Sequence, residues 1–155
     1  MPYVPNSFGR TRRPKEMLSG SFDSSYNTSP VKANITVVAS SGQLVAALNS
    51  TGAGRNGYKT ENQRYLHVFV KDDGTGGATT NAVQIYAYNY AFKEWGPLYV
   101  KKPNATGYEI ATAAEPGIEG VGATYIFDIA GIDRVAFVKS TTNAPHRVRA
   151  ACSTF

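Results

Sequence analysis

Cysteine, tryptophan and long apolar runs are scarce in this sequence, and their scarcity excludes several classes of protein. The 155 residues include one cysteine, Cys152, so an internal disulfide cannot form and a disulfide-stapled scaffold is excluded. No stretch approaches the length of about 20 apolar residues that a membrane-spanning helix needs. The first 17 residues, MPYVPNSFGRTRRPKEM, contain no apolar run typical of a signal peptide, so we expect synthesis in the cytoplasm and no membrane partner.

Patterns that indicate an enzyme are missing or lack their context. Residues 52–57, GAGRNG, have the spacing of a dinucleotide-binding loop, but a strand-type sequence follows, and we interpret them as a mobile surface loop. The loop KDDGTGG (71–77) lacks the alternating ligands of a calcium loop and is interpreted as a hairpin loop. His67, His146 and Cys152 are too widely spaced for a zinc motif, and His67 is interpreted as a satisfied strand residue. We therefore predict no enzyme, no cofactor and no metal.

Alternation of apolar and polar residues is the dominant signal from residue 34 onward. Candidate strands are separated by loops rich in Gly, Pro and Asn, and one short helix is predicted at 43–49, QLVAALN. This pattern predicts an all-β fold, an antiparallel sandwich or barrel. The predicted strands are NITVVA (34–39), RYLHVFV (64–70), AVQIYAYNY (82–90), PLYVK (97–101), YEIATAA (108–114), TYIFDIA (124–130), DRVAFVK (133–139) and HRVRAAC (146–152).

Residues 1–33 differ from the rest because they show no sustained period and carry large apolar side chains one at a time. We predict an extended N-terminal arm at 1–33, ahead of a β-sandwich domain at 34–155, with the arm lying along a partner surface. A basic cluster, RTRRPK, can bind phosphate or an acidic protein surface, or can be a solvated stretch. The predicted partner-binding residues are Phe8, Arg10, Arg12, Arg13, Lys15, Met17, Leu18 and Phe22.

An aromatic run, YAYNYAFKEWGPLY (86–99), follows the best candidate strand. On a strand, Tyr86, Tyr88 and Tyr90 share one face, opposite Val83 and Ile85. This face can stack sugars, pack on a neighbouring subunit, or form the wetter side of the core. We predict a possible interface at Tyr86, Tyr88, Tyr90 and Trp95.

Two strand-type runs meet at Gly131 in IFDIAGIDRVAFV (126–138). If Ala130 and Gly131 were a two-residue hairpin loop, Asp128 would lie opposite Asp133, which is unfavourable without a cation between them. A bend that carries the chain from one sheet to the other separates the two carboxylates and makes Arg134 available as a partner. The corner is the favoured interpretation; a strained hairpin and a cation site are the alternatives.

The arm, the strand-rich domain and the stretches FDIAGIDRVAFV and YAYNYAFKEWGPLYV together resemble the small virion proteins of tailed bacteriophages, of the capsid decoration or cement type. The resemblance implies a homo-oligomeric antiparallel β-sandwich of jelly-roll-like type, such as a trimer, that binds the major capsid protein and stabilises the shell. It also implies a virion location, on the capsid surface. The basic cluster would then contact the acidic outer face of the shell.

Two alternatives remain open. A jelly roll with a basic arm also resembles small viral coat proteins that package nucleic acid, although RTRRPK is less densely charged than such arms. The net charge of +5 permits an acidic partner without requiring nucleic acid. The second alternative is a carbohydrate-binding or receptor-binding virion domain that uses Trp95 and the neighbouring tyrosines as stacking platforms.

Overall fold

The computed structural model describes residues 15–22, 45–46, 48–49, 52–72, 82–114, 116–118, 120–139 and 146–154. Most of these residues lie in strands and tight turns, which confirms the predicted all-β fold. Helical segments among them are a turn at Val45, Ala46 and Leu48 and a 3-10 turn at Ala53–Arg55. The strands are β1 (Lys15–Phe22), β2 (Tyr58–Lys59), β3 (Tyr65–Asp72), β4 (Ala82–Asn89), β5 (Glu94–Pro97), β6 (Tyr99–Lys101), β7 (Tyr108–Ile110), β8 (Thr112–Ala114), β9 (Gly122–Asp128), β10 (Arg134–Lys139) and β11 (His146–Ser153).

Two antiparallel sheets form the body of the protein. Sheet A has the order β1-β11-β3-β9, and sheet B has the order β2-β10-β4-β5, with β8 also paired to β4. If β5 and β8 are counted as one position beside β4, the chain passes through eight strand positions. The first pairs with the eighth, the second with the seventh, the third with the sixth and the fourth with the fifth. This order is that of a jelly roll, and it confirms the predicted sandwich.

The main core lies between the two sheets. Sheet A contributes side chains at every second residue of β3, together with residues of β9 and β11, and sheet B contributes residues of β4, β8 and β10. Alternation along each strand places these apolar side chains on the inward faces. Burial of each larger aliphatic side chain contributes about 1.5–3 kcal/mol. The central members are Leu66, Val68, Val70, Val83, Ile85, Phe127, Val135, Phe137 and Val148.

A hairpin interrupts the edge of sheet B. After β5, the N–H of Leu98 still donates to Ile85 O at 3.0 Å, and the returning chain donates from Ala111 N to Leu98 O at 2.7 Å. Between these points β6 and β7 pair with each other in a separate two-stranded sheet. The chain then resumes its place beside β4 as β8. The hairpin β6–β7 therefore projects from the sandwich, with Tyr99 and Tyr108 exposed.

Residues 15–22 fall within the segment predicted to be an arm, and they form the first strand of the jelly roll. The backbone of β1 pairs with β11 over its whole length, with a register irregularity between Glu16 and Leu18. Lys15, Met17, Leu18 and Phe22 therefore lie on an edge strand of the chain's own sheet. Phe8, Arg10, Arg12 and Arg13, the boundary at residue 34 and the predicted strand NITVVA lie outside the described residues.

The connection between β3 and β4 differs from the prediction. The loop KDDGTGG was expected to close a hairpin, but β3 belongs to sheet A and β4 to sheet B, so the hairpin interpretation is wrong. Lys71 and Asp72 are the last residues of β3. In the described part of the chain, neither helical segment is long and apolar enough to cross a membrane.

Candidate functional site

The stretch around Gly131 is a corner between the sheets, as predicted. Strand β9 ends in sheet A at Asp128, and β10 begins in sheet B at Arg134. The N–H of Ile132 donates to Ile129 O at 3.0 Å, and Gly131 has a φ of +81° at the third position of this turn. Turns of this kind favour glycine there because a Cβ is unfavourable at positive φ.

Each carboxylate at the corner has its own partners. Asp128 accepts the N–H of Ala130 at 3.0 Å and forms an ion pair with Arg64 at 3.2 Å. The Ala130 N–H, and then Arg64, hold the pKa of Asp128 below its ordinary value. Asp133 accepts the N–H of Tyr90 at 2.7 Å. Both aspartates are structural residues of the corner.

Arg134 is not the partner of either aspartate, contrary to the expectation that it was available to them. It is 3% exposed, and its guanidinium donates to the carbonyl oxygens of Asn56 at 2.5 Å, Arg55 at 2.9 Å and Gly57 at 3.2 Å. Buried charge is tolerated when hydrogen bonds satisfy it, and these carbonyls do so. The interpretation of residues 52–57 as a mobile loop is therefore wrong, because hydrogen bonds from Arg134 hold residues 55–57 against sheet B.

The predicted aromatic interface is largely an interior cluster. Tyr86, Tyr88 and Trp95 are 0%, 4% and 3% exposed, whereas Tyr90 is 49% exposed. The helical turn and the 3-10 turn cover them through Leu48, Val45 and Ala53. The sequence left three alternatives for this face, and these three rings form the side of the core. Because they are buried, they offer no surface to a sugar or to a neighbouring subunit.

Hydrogen bonds hold this cover in place. Asn49 accepts the N–H of Trp95 at 2.7 Å and donates to its carbonyl at 3.2 Å, and the indole N–H of Trp95 donates to Ala53 O at 2.8 Å. The predicted helix at 43–49 was the sequence signal for this cover, because its apolar residues need a surface on which to pack. Its register against β5, 46 residues away, could not be read from the sequence.

The isolated histidine and cysteine have ordinary structural roles. The Nε2 atom of His67 lies 2.7 Å from the hydroxyl of Ser153, which confirms His67 as a satisfied strand residue. Cys152 is a buried thiol that forms no disulfide, and burial raises its pKa to about 12. Within the residues that the structure describes, no group of three or more His, Cys, Asp or Glu side chains is arranged to hold a metal ion.

An open groove of about 760 Å³ lies between the hairpin β6–β7 and the edge strand β9. Aromatic and aliphatic side chains dominate its lining, which also includes Lys101, Glu109 and Asp128. The hydroxyl of Tyr125, another lining residue, donates to Ala114 O in β8 at 2.8 Å. The lining residues are Tyr99, Val100, Lys101, Pro103, Glu109, Ile110, Thr112, Ala114, Tyr125, Ile126, Phe127 and Asp128.

Strand β9 gives the groove an unpaired edge. Its seven residues, GATYIFD, pair with β3 on one side, and it is the last strand of sheet A on the other. Over the described part of the chain, the outward main chain of β9 has no strand partner. Side chains of Ala123, Tyr125 and Phe127 turn toward the core, while Ile126 is 61% exposed. Sequence reasoning placed this strand but gave no sign that it would be an open edge.

Comparisons of the chain with protein-family models, curated proteins and solved structures found no match. Function is therefore inferred from the chemistry of the chain's own surfaces.

Proposed function

We propose that this protein is a non-enzymatic virion structural protein of the capsid decoration type, which stabilises a shell by binding the major capsid protein and copies of itself. The jelly-roll sandwich supports this proposal only at the level of the fold, because this fold serves capsid proteins and other binding proteins alike. The stronger support is the surface that the fold presents at β9.

The observation that carries the proposal is the open edge of β9 beside the groove. Sheet edges in monomeric proteins are usually protected by proline, lysine, a bulge or a covering segment, since an open edge pairs with other chains. GATYIFD contains neither proline nor lysine, its pairing with β3 runs without a register shift, and no described segment covers it. A stable isolated protein with such an edge would tend to associate.

The groove can accept an extended polypeptide segment. Such a segment would hydrogen-bond to the main chain of β9 and place alternate side chains against Ile126 and the hairpin residues Tyr99 and Ile110. Main-chain pairing provides affinity, and the hairpin wall restricts which side chains fit. We propose that the occupant in the assembled particle is an extended segment of the major capsid protein.

The experiment that tests this proposal is co-sedimentation of the purified protein with empty capsid shells. We expect Ile126→Lys to weaken binding at least about tenfold, because a charge would be desolvated in the contact. Ile118→Lys is the matched control, because Ile118 is 60% exposed but does not line the groove. Equal binding by both variants would reject the groove as the contact, and no binding of the unmodified protein would reject the decoration function.

The contribution of the N-terminal segment needs a separate test. Because residues 15–22 form β1, deleting residues 1–33 would remove a strand from sheet A. Replacing Arg10, Arg12 and Arg13 by glutamine in the full chain avoids this damage. If the basic cluster contacts an acidic shell, shells bound to this variant will rupture at a lower temperature than shells bound to the unmodified protein.

A further inference from the structure

The outward face of sheet A carries aromatic and cationic side chains. Leu66, Val68 and Val70 of β3 are fully buried in the core, so the alternate residues Tyr65, His67, Phe69 and Lys71 point away from it. These four side chains are half-buried, and they run along β3 for about 20 Å at the usual strand rise. Strand β3 lies inside the sheet, between β11 and β9.

Phe69 leans across the sheet surface. Gly122 of β9 lies opposite Lys71 and diagonally from Phe69, and a Cβ built on it would come within 2.2 Å of Cζ and 2.5 Å of Cε2 of the Phe69 ring. The ring therefore extends over the backbone of β9, and only glycine leaves room for it. The ring of Phe69 is therefore part of the outer surface of the sheet and does not project into solvent.

Cations surround these rings. Arg149 is exposed and lies directly opposite Phe69 on β11. The guanidinium carbon of Arg64 lies 5.2 Å from the ring centroid of Tyr65. Among the side chains that the structure describes on this face, Lys71 is a third permanent cation, and Asp128 is a carboxylate that Arg64 pairs. The face therefore combines ring surfaces with cationic side chains.

We propose that this face binds single-stranded nucleic acid. Proteins that bind single strands without sequence preference combine cations that follow the phosphates with aromatic rings on which bases stack. The rings of Tyr65 and Phe69 lie in the sheet surface, where an unstacked base can lie against them, whereas the bases of a duplex are stacked on one another and present only their edges in the grooves. This activity goes beyond shell binding, and the face adjoins the β9 groove, with Asp128 at the boundary between them.

The proposal is tested by fluorescence anisotropy of a labelled oligothymidylate titrated with the full chain. We expect Phe69→Leu to weaken binding about tenfold, because leucine covers Gly122 but offers no ring for stacking. The matched control is Phe92→Leu, since Phe92 is 78% exposed in the turn between β4 and β5, which belong to sheet B. This control should bind as the unmodified protein does.

Salt dependence tests the charged part of the face. Arg149→Gln should weaken binding and lower the slope of log K against log salt concentration by about 0.7, the value for one lost phosphate contact on a single strand. Lys93→Gln, in the turn between β4 and β5 of sheet B, should leave the slope unchanged. Arg149 is exposed, so this variant keeps the test valid even if thermal unfolding shows that Phe69→Leu is poorly folded.

Three outcomes would overturn the proposal. The first is no binding of the unmodified protein at low salt. The second is equal binding of duplex DNA or heparin together with no effect of Phe69→Leu, which would indicate charge attraction alone. The third is an equal loss in Arg149→Gln and Lys93→Gln. Because the measurement uses no shells, its failure leaves the decoration function untouched, whereas success would favour the nucleic-acid-packaging alternative.

Discussion

The outward faces of the two sheets are built from the same alternation but have different surroundings. On sheet B, Tyr88 and Trp95 are covered by Leu48 and Ala53 from the turns that precede β2. On sheet A, the corresponding outward residues of β3, such as Tyr65, remain half-exposed. Alternation therefore tells which residues share a face, while the course of the connecting segments decides whether that face becomes core or surface.

A matched pair of tyrosines should give the largest difference between the faces. Tyr88→Ala should lower the free energy of unfolding by about 3–5 kcal/mol, as for other buried aromatic side chains, because it leaves a cavity beneath the cover. Tyr65→Ala should cost about 1 kcal/mol, since its ring is only half-buried. Urea unfolding measures both values. Equal losses would mean that the cluster on sheet B is no more part of the core than the face of sheet A.

A smaller effect is expected from glycines in the segment that covers sheet B. Gly57 has a φ of +66°, and an added Cβ would lie 2.5 Å from Val135 O and 2.6 Å from the Trp95 ring. Gly57→Ala should therefore lower the free energy of unfolding by about 3 kcal/mol, from backbone strain and overlap together. Gly52 has a φ of +87° with nothing within 4 Å, so Gly52→Ala should cost only the strain, about 1 kcal/mol.

Thermal unfolding of the two glycine variants would show whether the segment is tightly packed. If Gly57→Ala were no more destabilising than Gly52→Ala, the cover of sheet B would be able to move away from β10 at little cost. The distinction between a covered and an open face would then be one of degree.

The smallest effect belongs to Asp128, at the rim of sheet A. Its pKa is lower in the folded protein than its ordinary value of 3.8, so the stabilisation is present at neutral pH and is lost as the pH falls through the folded pKa. We expect Asp128→Asn to lower the unfolding temperature slightly at pH 7, and this difference to vanish once the pH falls below the folded pKa of Asp128, which itself lies below 3.8. A difference that persisted at low pH would assign the effect to the side-chain shape of Asp128 instead of its charge.

The positions of strands were largely predictable, because they depend on nearest neighbours along the chain. The alternation of AVQIYAYNY predicted a strand at 82–90, and β4 spans 82–89. The predicted strand DRVAFVK at 133–139 matches β10 to within one residue. The corner at Gly131 was also predicted, since a two-residue loop there would have opposed two carboxylates.

The errors concern features that depend on distant residues. PLYVK was predicted as one strand, but the chain leaves sheet B at Leu98, so that Tyr99 and Val100 belong to the projecting hairpin. Arg134 was expected beside an aspartate, yet it bonds to carbonyls 77 to 79 residues earlier in the chain. Neither feature has a local signal in the sequence. Any backbone carbonyl can accept a hydrogen bond from an arginine, and a hairpin can project from any edge of a sheet.

By itself, the sequence determined the all-β class, the strands β3, β4, β9, β10 and β11, the corner between the sheets and the lack of a disulfide framework, since alternation and residue type act locally. Tertiary structure decided that the tyrosines of β4 are interior, that β9 is an open edge and that the face of sheet A carries rings beside cations. Those outcomes depend on which segments pack against which sheet. Contacts between segments far apart in the chain are selected by the fit of whole surfaces, which no local pattern specifies.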